Sequence, residues 1–252
     1  MVDDAVPGEK DPGERPVRKV FTTRSGGLSE PPFDSFNLAD YVGDNPSAVG
    51  ANRERLARVM GLSSDQIVWM EQLHTPTVTV VEGPCSEPVP ATDALVTTVR
   101  GLALAVLTAD CVPLLISDHE AGVIAAVHAG RIGARNGIVE RTVSCMVDLG
   151  ADPVRMHVWM GAAASGVNYE LPEPVLTDLE ARLPGVRTRT LLGTWGADLR
   201  IGISRRLEEL GVTHIDADLR CTIADPEFFS YRRDGKTGRQ AGLIWMPEED
   251  SP

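Results

Sequence analysis

Three residues of this chain have the types that bind a borderline metal: His74, Cys111 and His128. Cys111 stands just past the apolar run Leu102 to Leu107, in T-A-D-C-V-P-L-L. His128 stands just past a second run, Val123 to Val127, and His74 follows the shorter run Ile67 to Met70. Short apolar runs bounded by turn residues read as buried strands, so each side chain is carried to a strand end. One thiolate and two imidazoles suit zinc, and three protein ligands leave the fourth position open, as catalytic sites require. The same donors suit copper. A third chemistry needs no metal, with Cys111 as nucleophile and a histidine as its base. Asp110, beside the cysteine, is placed to orient a ligand or to act as a base. Cys221 is the thiol that would close the sphere if the site were structural. His119, His157 and His214 have no matching partners in the sequence and read as structural.

The rest of the composition bounds the possibilities. A chain of 252 residues with 42% hydrophobic and 24% charged residues can bury a core without staples. A net charge of -12 argues against a general nucleic-acid binder, which needs clustered Lys and Arg, but permits a local arginine site for an anion. No apolar run approaches the ~20 residues that span a bilayer. The four cysteines show no disulfide framework and the N-terminus no signal peptide, so the expectation is a cytoplasmic protein with reduced thiols. Residues 1–17, rich in Asp, Glu, Gly and Pro, read as a disordered leader, and 18–252 as one catalytic domain.

The elements that must position these residues follow from pattern. Lys19 to Thr23 reads as a first strand, and Arg24 to Gly27 as a tight turn, either a plain hairpin or an anion-binding loop. Asp44-Asn45-Pro46 starts a helix that Gly61 closes. Strands are expected at Ile67 to Met70, Thr77 to Val81 and Asp93 to Thr97, the last opening on a carboxylate. A helix follows Asn136-Gly137, with Cys145 beside its apolar face as a small buried hydrophobe. Met156 to Met160 is a strand leading into the small-residue loop Gly161 to Glu170. Helices are expected at Pro174 to Leu183 and Asp198 to Leu210, and strands at Thr213 to Ile215 and Ala241 to Met246. Between those two strands lies F-F-S-Y-R-R-D-G-K-T-G-R (Phe228 to Arg239). Its arginines and aromatics make either a solvated hairpin or a site for an anion or a stacked base.

Taken in order, F-T-T-R-S-G-G-L-S, F-N-L, Q-L-H, T-A-D-C-V-P-L-L, V-H-A-G, the Tyr169-Glu170 pair, and C-T followed by the late arginine motif form one series. That series resembles the YfiH family, the purine nucleoside phosphorylases also called multicopper polyphenol oxidases or laccase-domain proteins, over roughly Val20 to Met246. The resemblance implies a mixed α/β fold, a single domain with mixed β-sheets layered between helices. It implies zinc, or copper, on His74, Cys111 and His128. It also implies phosphorolysis of adenosine, inosine and methylthioadenosine together with adenosine deamination. A copper-dependent polyphenol oxidase and a cysteine-type hydrolase using Cys111 stay open as alternatives. The expected partners are purine nucleosides and phosphate, with no nucleic acid and no membrane. Candidate substrate and phosphate ligands are Arg24, Asn37, Arg131, Tyr169, Arg232 and Arg239. The chain departs from the family pattern in three places. Arg131-Ile132 stands where Trp-Arg is usual, Thr75 where a glycine is usual, and Ile203 where an Asn is usual.

Overall fold

The computed structural model describes residues 17–248; the leader expected over residues 1–17 lies, except for Val17, outside the described residues. The strands are β1 (Arg18–Phe21), β2 (Ile67–Val68), β3 (Val78–Val80), β4 (Ala94–Thr97), β5 (Ala103–Thr108), β6 (Val112–Asp118), β7 (Val123–Ala129), β8 (His157–Met160), β9 (Arg187–Arg189), β10 (Trp195–Ala197), β11 (His214–Ala217) and β12 (Gln240–Trp245). The helices are α1 (Pro46–Met60), α2 (Arg131–Arg135), α3 (Ile138–Asp148), α4 (Glu173–Arg182), α5 (Leu199–Glu209) and α6 (Tyr231–Asp234). A four-stranded sheet has the order β1-β12-β5-β2, a six-stranded sheet β11-β8-β6-β7-β4-β3, and β9 and β10 form a hairpin of their own.

Side-chain alternation stacks these elements into four layers. On β4, β6 and β7, Leu95, Leu115, Ile124 and Ala126 face Leu104, Val106 and Ile244 of the smaller sheet. The opposite faces of the same strands, with Val96, Leu114, Ile116 and Val127, pack against Ile138 and Met146 of α3, Leu176 of α4 and Ile203 of α5. The outer face of the smaller sheet, with Ala105, Leu107 and Leu243, is covered by Leu56 of α1 and by Phe36 and Leu38. The mixed α/β architecture with layered sheets is therefore as the family resemblance implies.

Local signals explain the element ends. The Asn45 side chain accepts from Ser47 N at 2.9 Å, Pro46 begins α1, and Gly61 ends it with φ 71°. Some expected strands are shorter. Only Ile67 and Val68 form β2, while Met70 makes an isolated bridge to Val89. The turn at Arg24 makes no hairpin, because the antiparallel partner of β1 is the last strand, β12. Its backbone is committed within the loop region, with Gly26 N and Gly27 N both donating to Ser35 Oγ at 3.1 Å. The late arginine motif is likewise no hairpin. It forms the short helix α6, with the Ser230 side chain accepting from Arg233 N.

The chain passes between the two sheets four times, at β2→β3, β4→β5, β5→β6 and β11→β12. The first, third and fourth of these passages hold His74, Asp110 with Cys111, and Arg232 with Arg239.

Candidate active site

The β5→β6 passage is only three residues long, Ala109-Asp110-Cys111, and leaves one sheet to enter the other. Asp110 makes this bend at φ 99°, a conformation costly for a residue with a Cβ. Cys111 is thereby set beside the end of β7, where Pro113 of β6 is registered against His128. His74 comes in from the β2→β3 passage, also with positive φ, 61°. The ligand atoms of His74, Cys111 and His128 all lie within 4.8 Å of one another, and the two imidazoles meet edge to face at 4.7 Å. Gly130 makes this proximity possible, since a Cβ there would lie 3.0 Å from Cys111 Sγ and 3.2 Å from His74 Cδ2.

One buried carboxylate organises the cluster. Asp93 Oδ1 lies 2.7 Å from His128 Nδ1 and accepts from His74 N at 3.0 Å. Its Oδ2 accepts from Leu73 N at 3.1 Å, from Thr75 N at 2.7 Å and from the Thr75 hydroxyl at 2.9 Å. Thr75, where the family usually has glycine, thus ties the histidine loop to Asp93. Gln72 completes the anchorage, donating to Leu107 O and accepting from Leu107 N, both at 2.8 Å. The sequence reading noted Asp93 only as a carboxylate opening a strand. The signal for its role was a charge placed where an otherwise apolar strand goes into the core.

These contacts set the electrostatics. Burial opposes ionisation of Cys111, but the charge of His128, and hydrogen bonds with His128 and His74, outweigh it and bring the thiol down to about 6. Burial opposes protonation of His128, but the Cys111 charge and the Asp93 hydrogen bond raise it to about 9. Burial would raise Asp93, yet its bonds to His128 and Thr75 hold it below the usual carboxylate range.

The cluster opens onto a cavity of about 670 Å³. Arg131, Tyr169, Arg232, Arg239 and Asp110 line it, together with Tyr41, Tyr231, Ile132 and Leu199. Arg232 stacks over Tyr169 with its Cζ 4.8 Å from the ring centroid; burial and the Cys111 charge raise the Tyr169 hydroxyl, and the charges of Arg131 and Arg232 oppose this. Both carboxylate oxygens of Asp110 are engaged, Oδ1 by the Thr222 hydroxyl at 2.7 Å and Oδ2 by Arg232 N at 2.6 Å. Asp110 accordingly moors α6 to the thiol-bearing bend.

Arg24 and Asn37 do not line this cavity. The Arg24 guanidinium bonds Asp34 O at 2.8 Å, pairs with the Asp34 carboxylate at 3.2 Å and stacks on Phe229. Asn37 is fully buried and works from behind, with Oδ1 accepting from Arg239 N at 2.9 Å and Nδ2 donating to Asp44. Cys221 takes no part in the cluster; its sulfur accepts from Ser165 N and Asn168 Nδ2, both at 3.3 Å. Ile203 is buried in the helix-facing core. His119, His157 and His214 do find partners, namely one another. Their rings meet at 5.4 Å and 4.6 Å at the edge of the larger sheet.

The fold and the site together define a layered α/β protein with a His–Cys–His centre capable of holding a metal in an arginine- and tyrosine-lined cavity. A sequence model of the family described as multi-copper polyphenol oxidoreductase laccase matches residues 18–247, and the chain belongs to that family. It is 63% identical over 241 residues to a protein of Corynebacterium glutamicum named purine nucleoside phosphorylase, covering 95% of this chain and 98% of that one. Among solved structures it is similar to YlmD from Geobacillus stearothermophilus, with a TM-score of 0.88, 31% identity and 94% of each chain covered. It also resembles the hypothetical protein YfiH of Bacillus licheniformis, with a TM-score of 0.86, 29% identity, and 91% and 92% of the two chains covered.

Proposed function

We propose that this chain is a zinc-dependent purine nucleoside phosphorylase acting on adenosine, inosine and methylthioadenosine, with adenosine deamination at the same centre. The reading rests above all on the His–Cys–His cluster facing an arginine-lined cavity in a chain 63% identical to a protein named purine nucleoside phosphorylase. The donor set fits the metal. The thiol ionises readily, and His128 gives Nδ1 to Asp93 and so turns its other nitrogen to the cluster. A zinc ion on His74, Cys111 and His128 would supply Lewis acidity to a substrate or water oxygen. The four unpaired cysteines are in keeping with a cytoplasmic location.

The chain's own residues account for binding. Cavity arginines hold the phosphate dianion, with Arg131 supplying charge where the family's usual arginine is replaced by Ile132. A phosphate oxygen forms the bond to the ribose anomeric carbon as the bond to the base nitrogen breaks, and positive charge develops on the sugar by analogy with other glycosyl transfers. Deamination instead bonds a water oxygen to the purine carbon that bears the amino group, breaks that carbon–nitrogen bond to release ammonia, and leaves the glycosidic bond intact.

Purified zinc-loaded protein should release adenine from adenosine only when phosphate is supplied, and inosine formed without phosphate would report deamination. A second reading, copper-dependent polyphenol oxidation, is favoured by the family's description and by donors that also suit copper. Oxygen-dependent turnover of phenols by copper-loaded protein, without nucleoside cleavage, would replace the first reading with the second.

A further inference from the structure

The cavity arginines differ in how many of their N–H donors are already spent. An arginine has five donors in a fixed plane, and a phosphate clamp needs several of them free. Among the described residues, Arg131 and Arg232 have no carboxylate within ion-pair distance, and the Arg232 side chain has no hydrogen-bond partner. The Arg131 charge acts on the Tyr169 hydroxyl. Both therefore present uncommitted donors at one wall, around Tyr169.

Arg239 is held in place instead. Its Nη1 donates to Thr237 O and Gly238 O, both at 2.9 Å, and its charge acts on the Tyr41 hydroxyl. Its backbone is pinned as well, N to buried Asn37 and O to Leu38 N at 3.2 Å. The guanidinium is thus a fixed plate. Its Cζ lies 5.8 Å from the centroid of the Tyr231 ring, and that ring is mostly exposed in the cavity wall. Such a plate, held at Nη1 by two backbone carbonyls, cannot turn to wrap an anion but keeps an open π-face, which suits stacking on a flat heterocycle. Tyr231 and Arg232 are neighbours on α6, so this one turn divides the two walls.

We propose that the cavity has two stations: Arg131 and Arg232 beside Tyr169 take phosphate, while Tyr41, Tyr231 and Arg239 form the platform on which the purine base stacks. The inference rests on the phosphorylase reading and removes Arg239 from the phosphate ligands. A base held by its face is not read at its exocyclic group, so the platform accepts 6-amino and 6-oxo purines alike.

The test is equilibrium binding of two separate probes, adenine alone and inorganic phosphate alone, to the metal-loaded protein. Tyr231→Ala should weaken adenine by about five- to a hundredfold, the usual loss on removing one stacked aromatic, and leave phosphate within about twofold. Tyr231→Phe should restore adenine binding. Arg232→Ala should weaken phosphate by about tenfold or more and spare adenine. Arg239→Gln should follow Tyr231→Ala; Tyr231 provides the control should that variant disturb its loop. If Tyr231→Ala leaves adenine binding intact, or if it shifts phosphate instead, the two-station assignment is overturned. Phosphate bound by the wild type with no adenine overturns the platform alone. Wild-type protein that takes up neither probe overturns the phosphorylase reading along with it.

Discussion

Buried His128 meets exposed His74 and a half-buried thiol at the cavity, whereas His119, His157 and His214 stack along a sheet edge. His128 is 3% exposed and bonded to a fully buried carboxylate, and its affinity for a proton is raised to about 9. His157 is exposed; partial burial, then the charges of His214, His119 and Lys19, lower its affinity. Gathering imidazoles is thus not what makes a ligand site here. The difference lies in Asp93, which fixes one ring and the loop of the other, and in Cys111, whose thiolate supplies the counter-charge.

The largest expected effect follows from deleting a ligand. His128→Ala should lose stoichiometric zinc and activity together while the protein stays folded, whereas His157→Ala should keep both. Metal analysis of the two variants is decisive, and loss of metal from His157→Ala would erase the contrast. Next, Asp93→Asn should weaken metal binding by about ten- to a hundredfold, as orienting carboxylates do. A chelator competition that finds it unchanged would mean that Asp93 serves the fold alone. Gly130→Ala should come third, lowering metal affinity through the 3.0 Å approach to Cys111 Sγ, with little change in melting temperature.

The smallest effects are titrations of the metal-free protein. Alkylation of Cys111 should be half-maximal near pH 6, because its thiol is depressed to about 6, while Cys145, raised by burial, should react only above its usual range. Mass spectrometry after pulse labelling separates the two. His128 should titrate near 9 and His157 below 6.5, which NMR can follow. The sign for stability follows. His157 binds protons less well folded than unfolded, so its contribution is present above its unfolded value and is lost as pH falls through the folded one.

How much of this was legible in the sequence depended on the range of the signal. The helices announced themselves locally, through Asn45-Pro46 and Gly61 around α1 and the apolar face of α3. The three metal-ligand candidates were legible as types at strand ends, and the ordered motifs supplied the resemblance. Asp93 was not, because its five contacts reach back across 18 to 20 residues and forward 35 to His128. The setting of Arg24 was not legible, because a cation beside Gly-Gly looks the same whether it faces a ligand or Asp34. Tyr41 escaped because no local pattern separates an aromatic in a cavity wall from any other surface aromatic, whereas Tyr231 lay within the late aromatic and arginine motif.

The passages between the sheets have a mechanical consequence. Three of the four carry residues of the cluster or the cavity wall, and the one at Cys111 has just three residues in which to absorb any displacement. The centre therefore acts as a strain gauge for the seam between the sheets. Slippage along Leu104, Val106, Leu115 and Ile124 would pull thiolate and imidazoles apart before either sheet lost its own hydrogen bonds. On heating, metal release should precede the loss of secondary structure, and an inter-sheet substitution such as Leu115→Ala should widen the gap between the two transitions.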